Sequence, residues 1–309
     1  MGNTILVRWL IGASTVAAVG LAIPCATVWG PGGTGQPVRL TKEQAIIVWN
    51  AKTETEHFIR QAEFNTKDKD FGFIMQVPSV PKVEAVDKKA FQVLTDMVES
   101  ALNPKGGAGA GGGFSGGGGF GGGGGGAPVQ SVELFGQGKV GDYEYAILTG
   151  TNGEVVNTWL KENGFQSRPD LTEFFDYYVK KKWGFVAFKF VGNEEGLATT
   201  EAIRVSFKTK APFYPYKFPK ANWPVSSLRP LTVFFISDRP YQAYFMPGWK
   251  KWEAKVMWTG GLDVYRAAQV FSSCKVPRRD VPENPILTVF RNTANLSGFD
   301  KDLEFYPKN

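Results

Sequence analysis

After residue 44 the chain alternates or clusters its apolar residues as a β-sheet protein does. Residues 45–49 form a continuous apolar run, residues 56–64 alternate apolar and polar side chains, and residues 71–77 repeat the apolar pattern before a proline. These three segments are predicted strands. Over residues 87–102 the apolar positions recur at helical spacing, which predicts a helix that begins at an Asp87 cap.

The second half of the chain continues with a strand, two helices and many strands. We predict a strand at residues 143–148 and amphipathic helices at residues 154–163 and 171–182. Further strands are predicted at residues 185–191, 202–208, 231–237, 241–246, 252–258 and 287–291. The predicted fold class is therefore α+β, with a mostly antiparallel sheet and a few covering helices.

A glycine-rich tract interrupts this pattern. Residues 106–126 are mostly glycine, so they supply too few side chains for a packed core and predict a flexible linker or loop at residues 105–128. A phosphate-binding loop is excluded because no Lys-Ser or Lys-Thr pair follows the glycines. The predicted domain plan is an N-terminal α+β lobe at residues 25–104 and a C-terminal α+β lobe at residues 129–309.

The N-terminus predicts export. Residues 9–23 are a short apolar stretch before Pro24 and Cys25, which is typical of a secretory signal peptide at residues 1–24. The alternative is an uncleaved membrane anchor, because the apolar run continues to Trp29. A lipoprotein is a third reading, although Pro24 is a poor residue before a lipidated cysteine. The expected location is periplasmic, cell-surface or secreted.

Histidine and cysteine content limits the chemistry. One histidine and two cysteines leave too few ligands for a zinc or iron–sulfur site of the usual kind, and we predict no metal and no cofactor. In an oxidising compartment Cys25 and Cys274 could form a disulfide; the alternative is two unpaired thiols. Neither belongs to a C-x-x-C motif, so a thioredoxin-like site is unsupported.

The catalytic candidates each have a structural alternative. His57 lies among Glu54 and Glu56, and a carboxylate beside an imidazole can form an acid–base pair. On an alternating strand, however, Glu56 faces the side opposite to His57. The pair Glu194-Glu195 is typical of a hairpin turn. A hydrolase site is the alternative, because carboxylates distant in sequence can meet in the folded protein. We assign no catalytic residue from the sequence.

An aromatic and basic segment is the strongest binding candidate. Prolines at positions 212, 215 and 219 favour an extended course, with rings and lysines between them. Such a segment suits carbohydrate stacking, an anionic polymer or a membrane surface. The alternative is that the rings pack into the core. The candidate ligand-binding residues are Tyr214, Tyr216, Lys217, Trp223, Trp249 and Trp252.

Six motifs resemble, in order, those of the bacterial family catalogued as domain of unknown function 2330. They are IIVW at residues 46–49, KTETEHFIRQAEF at 52–64, DFGFIMQVP at 70–78, VGDYEYAIL at 140–148, WLKENG at 159–164 and YPYKFP at 214–219. The likeness covers about residues 25–238. It implies export, and it transfers no activity and no catalytic motif.

Three classes of function follow. The first is an exported structural or interaction module of the cell envelope, with an envelope protein or polysaccharide as partner. The second is a polysaccharide- or peptidoglycan-binding module that uses exposed aromatic rings, and the third is a carboxylate-based hydrolase. Nucleic acid is not an expected partner of an exported protein, despite a net charge of +6 and a pI near 9.1. Membrane contact is expected only through an uncleaved N-terminal segment.

Overall fold

The computed structural model describes residues 26–29, 39–66, 71–102, 132–165, 169–191, 196–199, 201–217, 219, 231–292 and 300–308. Its strands are β1 (Ala26–Trp29), β2 (Arg39–Asn50), β3 (Thr55–Thr66), β4 (Phe71–Val77), β5 (Lys82–Val86), β6 (Glu133–Val140), β7 (Tyr143–Thr149), β8 (Gly184–Phe190), β9 (Gly196–Thr199), β10 (Ala202–Lys208), β11 (Phe213–Tyr214), β12 (Leu231–Ser237), β13 (Tyr241–Met246), β14 (Lys250–Lys251), β15 (Lys255–Gly261), β16 (Ile286–Asn292) and β17 (Asp302–Pro307). Its α-helices are α1 (Lys89–Leu102), α2 (Gly153–Glu162), α3 (Pro169–Lys180) and α4 (Val264–Ser273), and a 3₁₀ turn covers Arg278–Asp280.

The strands form three sheets. The five-stranded sheet has the order β1-β4-β8-β7-β6, and the four-stranded sheet has the order β11-β17-β13-β14. The eight-stranded sheet has the order β15-β16-β12-β2-β3-β10-β5, with β9 paired to β3. Among the described pairs only β2 and β12 run parallel. The predicted α+β class with mostly antiparallel sheet is therefore confirmed.

The prediction of two lobes is not confirmed. Strands from residues 25–104 and strands from residues 129–309 share both larger sheets: β2 pairs with β12, β5 pairs with β10, and β4 pairs with β8. The glycine-rich tract, residues 105–128, lies outside the described residues. A break in composition does not mark a break in the fold here, because strands distant in sequence complete each other's hydrogen bonding.

Three apolar clusters hold the sheets and the helices together. One face of the eight-stranded sheet packs under α1 and α4, and one face of the five-stranded sheet packs under α2 and α3. The remaining inner faces of all three sheets meet in the largest cluster. Strand β13 shows how alternate residues of a strand face the core: Tyr241, Ala243 and Phe245 are buried, while the residues between them are partly exposed.

Local signals account for the helix starts. The Asp87 carboxylate accepts the backbone N–H of Lys89 at 2.8 Å, as the predicted cap requires. Asn152 accepts the N–H of Val155 at 2.9 Å at the start of α2. The sequence reasoning missed α4, which Asp263 caps through the N–H of Arg266. It also placed β15 three residues too early, at residues 252–258 instead of Lys255–Gly261.

Within the described ranges, no helix is long and apolar enough to cross a membrane. Residues 1–24 and Cys25 lie outside those ranges, so signal peptide, anchor and lipoprotein remain predictions. Among the described residues Cys274 has no disulfide partner; its side chain is buried, and burial raises the pKa of the thiol to about 12. The pairing of Cys25 with Cys274 likewise stays a prediction.

Candidate binding surface

The outer face of the four-stranded sheet carries polar and aromatic side chains that are open to solvent. On β13 the outward residues include Gln242 and Tyr244, and on β17 they include Glu304 and Tyr306, all partly exposed. The strand register pairs Gln242 with Tyr306 and Tyr244 with Glu304. Cross-strand partners lie on the same face, so these four side chains form one patch.

Trp249 completes this patch from the turn between β13 and β14. Its side chain is 57% exposed. Its ring centroid lies 4.5 Å from that of Tyr306 and 5.7 Å from that of Tyr244. We call Tyr244, Trp249 and Tyr306 the aromatic platform. An exposed tryptophan that contacts two tyrosines presents a large ring surface to solvent in a fixed orientation.

The backbone at Trp249 is strained. Its φ is +52°, in the left-handed region that bulky residues rarely adopt, and Gly248 before it has φ +113°. A non-glycine residue there costs about 1–3 kcal/mol, and such strain concentrates at functional sites. The turn thus holds an exposed indole where an ordinary turn would place a small polar residue.

Hydrogen bonds fix the two tyrosines. The Tyr244 hydroxyl donates to Gln242 Oε1 at 2.9 Å, and the Tyr306 hydroxyl donates to Glu304 Oε2 at 2.5 Å. Partial burial and this bond to a carboxylate raise the pKa of Tyr306. The polar groups of both tyrosines lie beside the rings, where a hydroxyl-rich ligand could exchange hydrogen bonds with them.

A cleft of about 470 Å³ adjoins the platform through Glu304, which also lines the cleft. The other lining residues are Glu54, Pro78, Trp183, Lys208, Thr209, Lys210, Ala211 and Phe213. This volume falls in the range of small-molecule sites. The cleft brings together two carboxylates, Glu54 and Glu304, which the sequence did not associate.

Three of the six sequence-predicted binding residues lie in the core. Tyr214, Tyr216 and Trp252 are no more than 5% exposed. Tyr214 packs edge-on against Phe58, and Tyr216 packs against both Phe245 and Trp252. Their rings cannot reach a ligand at the surface. For these residues the alternative reading, rings packed into the core, describes the structure.

Of the other three predicted residues, Trp249 is exposed and belongs to the aromatic platform. Lys217 is partly buried: its ammonium lies 4.3 Å from the ring centroid of Tyr177 and donates to the carbonyl of Asp300 at 2.7 Å. Burial lowers the pKa of Lys217. Trp223 lies outside the described residues.

The sequence reasoning missed Tyr244 and Tyr306. The alternation of residues 241–246 contained a signal for Tyr244, because it places that ring on the same face as Gln242 and opposite to Phe245. No comparable signal marked Tyr306, since the strand β17 itself was not predicted. Its position follows only from the pairing of β17 with β13.

His57 stands in a second polar cluster. Its Nδ1 lies 2.8 Å from the hydroxyl of Ser206, and its Nε2 lies 3.3 Å from a carboxylate oxygen of Asp280. Serine, histidine and aspartate are the residue types of a hydrolytic triad. Glu56, the partner considered from the sequence, points to the opposite face of the sheet, as the alternation predicted.

The surroundings of His57 favour a structural role. The ring is 1% exposed, and burial together with the charge of Arg204 lowers its pKa from 6.5 to about 4. A general base works best with a pKa near the operating pH, so this imidazole is a weak base. The 3₁₀ turn that carries Asp280 is also held by Asn50, whose side chain donates to the carbonyl of Arg279. His57 therefore ties this turn to the sheet.

Other buried carboxylates are bound within the core. Glu56 accepts the backbone N–H of Phe213 at 2.9 Å, and burial raises its pKa. Asp302 accepts the hydroxyl of Tyr178 at 2.8 Å and the amide of Gln76 at 3.1 Å. Burial raises the pKa of Asp302 as well. Within the described residues no group of three or more metal-ligating side chains comes together.

Comparison with known proteins places the chain in a family. A family model described as an uncharacterised protein conserved in bacteria, DUF2330, matches residues 22–237. The chain belongs to this family. No curated protein matches. Among solved structures, baculovirus P35 is similar to 88% of this chain and 98% of its own, with 9% identity and a TM-score of 0.44. The aromatic platform, at residues 244–306, lies beyond the part matched by the family model.

Proposed function

We propose that this chain is an exported, non-catalytic interaction module of the cell envelope, and that it binds polysaccharide through the aromatic platform. The single observation that carries the proposal is the strained, exposed Trp249 in contact with Tyr244 and Tyr306. A pyranose ring presents a face of C–H groups that packs against an indole, while its hydroxyls bond polar groups at the ring edge. Gln242 and Glu304 are positioned to accept such bonds.

Export is the second part of the proposal. It is supported by the apolar stretch at residues 9–23 and by the family resemblance, and an extracytoplasmic location would bring the protein to envelope polysaccharide. In that compartment a disulfide between Cys25 and Cys274 would be stable. The glycine-rich tract at residues 105–128 would serve as a flexible insertion in the module.

Co-sedimentation with insoluble glycans tests the proposal. The full chain is mixed with cellulose, chitin or peptidoglycan sacculi, and the bound fraction is measured. We expect retention on at least one of these, and a loss of about tenfold or more in affinity for Trp249→Ala, as for a central aromatic contact residue.

A matched control separates a specific site from general loss of aromatic surface. Tyr265 is 73% exposed on α4, away from the four-stranded sheet, so Tyr265→Ala removes a comparable exposed ring. We expect this variant to bind as the wild type does. Absence of retention on all three glycans, or equal losses for Trp249→Ala and Tyr265→Ala, would contradict the proposal.

A second candidate function rests on the cleft. Glu54 and Glu304 both line it, and glycoside hydrolysis uses two carboxylates that flank the scissile bond. Under this hypothesis the aromatic platform would guide a chain into the cleft. Release of reducing ends from the retained glycan, abolished in Glu54→Gln, would support a hydrolase. Retention without release supports the binding module.

A further inference from the structure

We infer that the polysaccharide is acidic, with its anionic groups paired to Lys251 and Lys301 while a sugar ring stacks on Trp249. This inference rests on the proposed function and names the class of ligand for the same surface. Three features of the described residues support it. They are the positions of the two ammonium groups, the absence of carboxylates bound to them, and the polar character of the sheet face around Trp249.

Lys251 lies beside the platform because of the strand register. It is paired with Tyr244 across β13 and β14, so both side chains rise from the same face of the sheet. Lys251 is exposed, while Tyr244 is partly exposed. An anionic group on a sugar stacked at Trp249 therefore lies within reach of a long, unconstrained lysine side chain.

Lys301 lies close to the turn that carries Trp249. Its Nζ lies 3.4 Å from the point where a β-carbon on Gly248 would stand. Gly248 directly precedes Trp249, so the ammonium group sits against the backbone of the turn that presents the indole.

Among the described residues these two lysines have no acidic partner, whereas other lysines on the surface do. Lys52 pairs with Glu283 at 2.6 Å and Lys82 pairs with Glu84 at 3.1 Å. In the part of the chain that the structure describes, neither Lys251 nor Lys301 makes an ion pair. Uncompensated positive charge at a contact surface attracts an oppositely charged ligand and speeds its association.

The face is too polar for a membrane surface. A segment that enters the bilayer interface presents a broad apolar face with several large hydrophobic residues. Here Trp249 is surrounded by Gln242, by the carboxylate of Glu304 and by tyrosines whose hydroxyls are already bonded. On a glycan the Glu304 carboxylate can accept hydroxyl donors.

Affinity gel electrophoresis with a matched pair of polymers tests the inference. Carboxymethyl cellulose and hydroxyethyl cellulose share one backbone and differ in charge, and polygalacturonate adds a second acidic polymer. We expect the acidic polymers to retard the full chain at least fivefold more strongly than the neutral one. We expect Trp249→Ala to abolish the retardation by all of them, because stacking positions the ligand.

Two double variants with equal loss of charge provide the control. Lys251→Gln/Lys301→Gln should weaken binding to the acidic polymers about threefold to tenfold at low salt, because two exposed ion pairs to the ligand are lost. Lys88→Gln/Lys89→Gln removes two exposed lysines at the start of α1, outside the platform. That variant should bind as the wild type does.

The outcomes separate the inference from the proposed function. Equal retardation by acidic and neutral polymers, or equal effects of the two double variants, overturns the inference and leaves polysaccharide binding standing. Failure to bind any soluble or insoluble glycan contradicts both. Binding to vesicles of phosphatidylglycerol that depends on Trp249, with no retardation by the acidic polymers, would assign the surface to lipid instead and overturn the inference.

Discussion

The substitution His57→Gln tests the structural role assigned to the one histidine of the chain. His57 contacts Ser206 on β10 and lies 3.3 Å from Asp280 in the 3₁₀ turn, so it joins the turn to the sheet. Glutamine keeps a neutral side chain that can donate and accept hydrogen bonds, but it does not titrate. The variant therefore removes the protonation equilibrium while retaining much of the polarity.

The pKa of His57 fixes the sign and size of the pH effect. The folded pKa of about 4 lies below the unfolded value of 6.5, so between these values the unfolded chain binds more protons. Stability then falls as pH decreases from 6.5 towards 4. For a shift of this size, the wild type should lose about 2 kcal/mol of unfolding free energy through His57 between pH 7 and pH 4.5.

Urea denaturation at pH 7 and pH 4.5 measures this contribution. Other groups titrate in both proteins, so the quantity of interest is the difference between wild type and His57→Gln in how much stability each loses. We expect the wild type to lose about 2 kcal/mol more than the variant. Equal losses, or an NMR titration of the single imidazole with a pKa near 6.5, would refute the assignment of a buried neutral histidine.

Three further predictions concern packing, capping and thiol chemistry. A β-carbon on Gly153 would stand 2.1 Å from a backbone oxygen of α3, so Gly153→Ala should lower the unfolding free energy by about 1–3 kcal/mol. A β-carbon on Gly261 would have no atom within 4 Å, so the control Gly261→Ala should change the unfolding free energy by less than about 0.5 kcal/mol. Similar unfolding free energies for the two variants in denaturation curves would disprove the close contact at Gly153. Asn152→Ala should cost about 1 kcal/mol through loss of the α2 cap, seen as a lower Tm in calorimetry. In reduced protein Cys274 should resist iodoacetamide until denaturant is added, and rapid native alkylation by mass spectrometry would argue against its burial.

Most strands were predictable because burial imposes a period of two on their side chains. The bounds of β10, β12 and β13 agree with those predicted from the alternation, and the predicted helices coincide with α1, α2 and α3 to within about two residues. The sheet order was not predictable. The parallel pairing of β2 with β12 joins segments far apart in the sequence, and a one-dimensional pattern contains no information about such partners.

The binding surface was only partly predictable for the same reason. Composition drew attention to Tyr214, Tyr216 and Trp252, but aromatic rings are also the preferred filling of a core between sheets, and these three serve that purpose. Trp249 differs from them by its position in a turn. Its partners Tyr244 and Tyr306 come from strands that meet only through the pairing of β13 with β17.

Adsorption isotherms on insoluble glycan for Trp249→Ala, Trp249→Phe and Tyr265→Ala test the central claim most directly. If the aromatic platform is the binding site, Tyr265→Ala has the affinity of the wild type, Trp249→Phe keeps part of it because a ring remains, and Trp249→Ala loses about tenfold or more. A wild-type affinity in Trp249→Ala, with the fold intact by circular dichroism, would contradict the claim that this surface binds polysaccharide.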